Sequence, residues 1–334
     1  MINLTILSLL LSTRAILCCG YKDIIQGENR IPNPIRLEAE DTGSITDGRI
    51  LQISSGFTNA SVHNMRAILD YSDIDNRLYN GRNGEALAGY LFVKKNLAKV
   101  VAFIGSQFTV YYRQKFSFPK FYWAEQDIDI PGRENVEGDF YAFVVSERKA
   151  GLTYLMAATS YGTAGQMQRP LLGIIFVNLP VFHYTAKSDY SYFQTFLHEV
   201  FHMMGFGLQS FRSFPVYDQI IDKWYFTDVT AQATRVDGSK YTELRITAVT
   251  SWAKSYFNCP TLSGLPLEDN GDTGGTQGSH WDKLFLQNEI MTPSAEPKLQ
   301  ISPLTLQVLA ATGWYGITPG SEQVWLWGKG QGCG

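Results

Sequence analysis

Cysteine and histidine are scarce in this chain: its 334 residues include four cysteines and five histidines, and no cysteine lies between Cys19 and Cys259. Disulfides therefore cannot tie the N-terminal half together, and a thiol latch from that half would need Cys18 or Cys19. Charge is nearly balanced as well. With 28 Lys and Arg against 31 Asp and Glu, the formal net charge of −3 gives no electrostatic reason to invoke nucleic acid or an anionic membrane. Beyond the N-terminus no stretch reaches the roughly 18 uncharged apolar residues of a membrane span. The run Leu171 to Phe182 contains Asn178 and Pro180 and reads as a core strand with its exit. No hydrophobic tail of the kind that precedes lipid anchoring closes the sequence, and no repeat of solenoid or propeller period runs through it. Gly271, Gly274, Gly275 and Gly278 lack the Lys-Ser/Thr pair or the dinucleotide spacing of a phosphate loop, so they read as a flexible lead into His280.

What is present begins with the apolar run Leu4 to Leu11, followed by small residues around Cys18-Cys19-Gly20. No Lys or Arg precedes the run and Arg14 interrupts its far side, yet its length suits a secretory signal over residues 1–19. Secretion or display at the cell surface is the expectation. Residues 20–60 mix charge with Gly, Pro, Asn and Ser and predict an exposed leader or propeptide-like segment; Asn59-Ala60-Ser61 forms a short glycosylation pattern near its end.

The densest chemistry is His198-Glu199-Val200-Phe201-His202, followed by Met203-Met204-Gly205. On a helix, His198 and His202 share one face and offer two imidazole nitrogens to one ion, while Glu199 reaches a water on that ion. That is the arrangement of a zinc peptidase. Phe193, Phe196, Leu197, Val200 and Met204 supply the apolar stripe that anchors such a helix, Ser191 with Gln194 suggests a capping box, and Gly205 supplies a left-handed stop. The third ligand lies elsewhere. A short-spacer site would place a histidine at position 208, which is Leu208, and His63 and His183 precede the helix and receive no role. His280, in Gly278-Ser279-His280-Trp281-Asp282, is the downstream histidine; Asp218, Asp222 or Asp228 would be acidic substitutes. Eleven residues after His280, Met291 sits in a turn-like context, Asn288 to Pro293.

This order of helix, long insertion, histidine and methionine resembles the leishmanolysin family of zinc metallopeptidases. Phe257-Asn258-Cys259-Pro260, Leu267-Glu268-Asp269, Ile301-Ser302-Pro303-Leu304-Thr305, Thr312-Gly313-Trp314-Tyr315 and Trp327 to Cys333 also look like family segments in family order, from roughly Ile68 onward. The resemblance implies an α+β, metzincin-like catalytic domain: a twisted mixed sheet with long helices, including the HExxH helix, over residues 61–207, and an irregular, mostly helical lower lobe over 208–334. It implies one zinc ion on His198, His202 and His280, Glu199 as catalytic base, Met291 beneath the site, and a bond joining Cys259 to Cys333. It also implies protein or peptide substrates, held by edge pairing on the strand nearest the cleft. An adhesion protein that keeps the fold without the activity is the alternative, and a shortened product that does not fold stably is a third.

Within residues 61–207, strands are expected at 67–71, 139–146, 155–160 and 171–178, and a long helix with Leu87, Tyr90, Leu91, Val101, Ile104 and Phe108 on its apolar side. Further on, helices are expected at 246–256 and after Ser302-Pro303, the latter ended by Gly313.

Overall fold

In the strand Phe140–Ser146, successive side chains part company: Phe140, Ala142 and Val144 enter one hydrophobic cluster, while Tyr141, Phe143 and Val145 enter another. A strand with two apolar faces has to be covered on both. The computed structural model of the chain describes residues 62–333 except 82–83, 111–113, 124–126, 149–153, 165–166, 180–188, 219, 222, 270–276 and 295–297, and before them residues 35–36 and 39–41. The expected signal peptide, the Asn59 pattern, Cys18, Cys19, His183, Asp222 and most of the leader lie outside the described residues.

The strand lies inside a five-stranded sheet ordered Ile35–Arg36, Met156–Ala164, Arg169–Val177, Phe140–Ser146, Ala67–Asp70. All neighbours are parallel except Met156–Ala164 with Arg169–Val177, which form an antiparallel pair. All nine residues of Arg169–Val177 are buried, which is why that segment reads as a continuous apolar run. Helices Gly84–Gln107 and Asp189–Met203 cover one face. On the other, Phe116, Phe118, Ile128 and Ile130 from small antiparallel sheets meet Tyr141 and Phe143. The approach of helix to sheet is tight at Gly173, where a Cβ would fall 2.8 Å from the Met203 sulfur.

The expected strands and both long helices are present, with two corrections. Helix Gly84–Gln107 buries Tyr90, Val93, Leu97, Val100 and Ile104, whereas Leu87 and Leu91 are exposed. The buried residues recur at three and four; the leucines fall on the far side of that face. Residues 20–60, expected to be an exposed leader or propeptide-like segment, supply Ile35–Arg36, which pairs with the outer strand Met156–Ala164 at Gly162 and Thr163.

Past the site helix, the lobe expected to be irregular and mostly helical also contains antiparallel hairpins. Phe214–Asp218 pairs with Lys223–Thr227, and Thr230–Thr234 with Lys240–Leu244, which also pairs with Leu265–Pro266. Asp237-Gly238, with Gly238 at φ 86°, turns the second hairpin, and threonines and a cross-strand Tyr217–Trp224 pair suit pleated surfaces. Helices Thr247–Phe257 and Pro303–Ala311 follow. Ser302 caps the second, accepting the Leu304 N–H, and Gly313 beyond it adopts φ 70°. Cys259 and Cys333 are disulfide-bonded across 74 residues, so the segment carrying His280 and Met291 is a closed loop. Among the described residues no helix is long and apolar enough to cross a membrane.

Candidate metal centre

The site starts with the helix Asp189–Met203. Phe196, Leu197 and Phe201 are fully buried and clamp it to the sheet. The expected Ser191–Gln194 capping box does not form, because the helix already begins at Asp189. Ser191 O accepts the Thr195 hydroxyl, and Gln194 donates to Leu299 O in the lower lobe. After Met203 the chain reverses through Gly205 at φ 112°, with Phe206 N–H donating back to Phe201 O. A Cβ on Gly205 would lie 2.4 Å from the Trp314 ring, and the Trp314 Nε1–H donates to Met167 O. Gly205→Ala therefore faces both an unfavourable φ and a clash; a loss of about 2–4 kcal/mol in denaturant unfolding is expected, and an unchanged midpoint would refute this account of the turn.

The turn and the hairpins bring the third imidazole to the first two. His280 O accepts from Glu268 N–H, Asp282 N–H donates to Pro266 O, and Trp281 N–H donates to Met291 O, so residues 280–282 are held on both sides. Arg235, from the second hairpin, pairs with Asp269 at 2.8 Å and Asp282 at 3.1 Å and locks the entry and exit of this segment. Leu208 marks where a short-spacer histidine would stand; a Cβ on Gly278 would lie 3.2 Å from its side chain.

The Nε2 atoms of His198, His202 and His280 form a triangle 3.1 Å on each side, and all three residues are buried. His198 Nδ1 lies 2.6 Å from Ile290 O and His202 Nδ1 lies 2.7 Å from Phe206 O. A carbonyl can only accept, so both Nδ1 atoms carry protons and both Nε2 lone pairs face the centre. The corners of the triangle are about 1.8 Å from its centroid, less than a metal–imidazole bond of roughly 2.0–2.1 Å, so one ion can touch all three nitrogens from one side. Among the described residues this is the one cluster of three such side chains placed to hold a metal. Glu199, on the same helix, is fully buried. The acidic substitutes are elsewhere: Asp218 accepts from Ile220 and Ile221 N–H, and Asp228 from Thr230 N–H, in exposed turns. His63 lies 3.4 Å from Asp139, apart from the triangle. Met291 is fully buried in a turn in which Thr292 N–H donates to Glu289 O.

Burial governs the ionisation. It pushes His198 down to about 4, against support from Ile290 O, and holds His202 well below the usual imidazole range. It pushes the buried Glu289 carboxyl up to about 7, partly countered by its hydrogen bonds to Thr305, Met291 and Ser302. For a depressed imidazole, stability is present above the unfolded value near 6.5 and is lost as pH falls towards 4. The raised Glu289 works the other way, losing stability as pH rises from the unfolded carboxyl value through about 7. Two histidines outweigh one glutamate, so the metal-free chain is expected to lose stability between pH 6.5 and 4, with about 3 kcal/mol from His198 alone. Urea midpoints measured across that range, if flat, would contradict it.

Sequence reasoning missed Arg235, Glu289 and Trp314. The turn pair Asp237-Gly238 could have indicated the hairpin that delivers Arg235, but no spacing links Arg235 to Asp282, 47 positions away.

Comparison with known proteins places these features in one group. The leishmanolysin peptidase family matches residues 132–334, a span that contains all three histidines, Glu199 and Met291 and leaves the segment from Ile68 to 131 outside. A leishmanolysin-like peptidase of Drosophila melanogaster is 29% identical over 236 residues, 61% of this chain and 34% of the relative. The ciliated left-right organizer metallopeptidase of Danio rerio is 28% identical over 211 residues, 60% of this chain and 32% of its own. Leishmanolysin of Leishmania donovani is 25% identical over 198 residues, 58% and 30% respectively. The chain belongs to the leishmanolysin family. It spans about a third of the length of the curated relatives it matches.

Proposed function

We propose that this chain is a zinc-dependent endopeptidase domain of the metzincin type, secreted or held at the cell surface, that hydrolyses peptide bonds in proteins. The observation that carries the reading is the triangle of buried Nε2 atoms with Glu199 on the helix that bears two of them. Three neutral imidazoles leave a bound zinc its full double charge, and the ion would supply Lewis-acid polarisation and lower the pKa of a water to about 7. His198, His202 and His280 hold the site, with Nδ1 of the first two tied to backbone carbonyls so that the lone pairs cannot turn away. The carboxylate of Glu199 takes a proton from the attacking water as its oxygen bonds to the carbonyl carbon. It returns that proton to the leaving nitrogen as the C–N bond breaks. Ile35–Arg36 takes up the edge of the outer strand Met156–Ala164 at Gly162 and Thr163, and extended substrate pairs with that strand ahead of them, over Met156 to Tyr161.

A purely adhesive surface has no use for a buried glutamate next to three histidines, which favours catalysis. The test is metal content and cleavage of a quenched protein substrate by the purified chain. About one zinc per chain is expected, with activity lost on chelation and regained on adding zinc. A folded chain that takes up no zinc, or a zinc-loaded chain that cleaves nothing, would sink the proposal.

A further inference from the structure

The peptide unit between Ile290 and Met291 has a hydrogen bond at each end. Its carbonyl accepts from His198 Nδ1 at 2.6 Å, and its N–H donates to the Glu289 carboxylate at 2.5 Å. We propose that Glu289 is a positioning residue for the metal centre, its carboxylate acting through this peptide to orient His198 and strengthen it as a ligand. The inference rests on the reading of the three histidines as metal ligands.

An amide is conjugated, so an anionic acceptor at its N–H draws charge towards its oxygen and makes that oxygen a better acceptor. His198 Nδ1–H is then held more firmly, and electron density at Nε2 rises, as it does when a carboxylate bonds a metal-bound imidazole directly. Here one peptide stands between them. Glu289 and Ile290 are fully buried, so solvent does not screen the effect.

With burial pushing its pKa up to about 7, the Glu289 carboxyl is anionic above that pH, and the hydrogen bonds of the pocket support the anion against burial. Glu289 accepts from the Thr305 hydroxyl at 2.6 Å, the Ser302 hydroxyl at 2.8 Å and Ser302 N–H at 3.4 Å, all at the start of helix Pro303–Ala311, where the helix dipole favours negative charge. Thr305 in turn accepts the indole N–H of Trp281 at 3.0 Å, beside His280, and Trp281 N–H donates to Met291 O at 2.9 Å. One carboxylate thus connects the segments that carry the first and third histidines. A residue that served folding alone would not change zinc affinity, and that difference can be measured.

The experiment is a zinc affinity determination by chelator competition at about pH 8, above the raised Glu289 value, on the purified chain, the E289Q variant and the I128V variant. E289Q keeps the shape and loses the charge, with one acceptor oxygen replaced by an NH2 donor; its zinc Kd is expected to rise about 10–100-fold, the usual effect of losing a partner of a metal-bound histidine. I128V leaves this pocket intact and thins the cluster on the other face of the sheet, so it is expected to lower the unfolding midpoint and leave zinc Kd unchanged. Equal affinities for wild type and E289Q would overturn the inference and leave the metal reading standing. A wild-type chain that binds no zinc would overturn both. Should E289Q fail to fold, the wild-type Met291 amide proton decides: a downfield shift on zinc loading is expected, and an unmoved resonance would overturn the relay.

Discussion

Glu199→Gln is expected to leave zinc bound and to reduce peptide hydrolysis by about two to four orders of magnitude, the range attributable to a positioned general base. The separation of the two effects follows from the geometry. The cluster placed to hold a metal comprises His198, His202 and His280, and Glu199 is not part of it. Glutamine preserves the volume of a fully buried side chain, so the packing of the helix against the sheet is retained. What disappears is the basic oxygen that takes a proton from water. Stoichiometry by metal analysis and kcat on a quenched peptide would be measured together. A variant retaining more than a tenth of wild-type kcat would remove Glu199 from the mechanism.

His280→Ala is expected to do the reverse, acting on the metal first. It deletes one corner of a triangle whose other two corners both come from one helix, and two imidazoles hold a divalent ion far less tightly than three. Losing a first ligand should exceed the 10–100-fold cost of losing a second-layer partner, so a fall in zinc affinity of at least about a thousandfold is expected, with activity falling alongside it. Near-normal fold is also expected, because the backbone around position 280 is held by Glu268, Pro266 and Met291 rather than by the imidazole. Circular dichroism and the zinc Kd separate the outcomes. Undiminished zinc binding by a folded variant would show that His280 is not a ligand, and the half-buried Asp218 and the exposed Asp228 would be the next candidates.

The two variants divide the site as the chain does, between what is near in sequence and what is brought near. His198, Glu199 and His202 were legible because helical periodicity converts a spacing of four into a shared face, and the apolar stripe says which way that face is turned. The cap of the last helix at Ser302-Pro303 was legible for the same local reason: the hydroxyl needs only an N–H two residues on. The Ser191–Gln194 cap was misread because the same residue types fit the middle of a helix when the chain enters it earlier, at Asp189. The long helix was found, and its inward face in part: Tyr90 and Ile104 are buried as expected. Its leucines are equally apolar, and only the packing against the sheet chose Val93, Leu97 and Val100 over Leu87 and Leu91.

By itself, then, the sequence pointed to four of the five sheet strands and the two helices over them, to His198, Glu199 and His202 together on one helix, to His280 as the downstream histidine, and to the family to which the chain belongs. The strands, the helices and the shared helical face are properties of short-range pattern, in which residue type and spacing suffice; His280 came from elimination among five histidines and from the family resemblance. Tertiary structure alone decided that the lobe after Gly205 includes two hairpins beside its helices, that Arg235 clamps the segment carrying His280, and that Ile35–Arg36 lies along the outer strand. It also decided that Glu289 reaches His198 through one peptide, 91 positions from it in the chain. These depend on contacts between segments dozens of residues apart. The free energy of such a contact comes from burial and from the pairing of polar groups that water can no longer reach, and no local spacing records it.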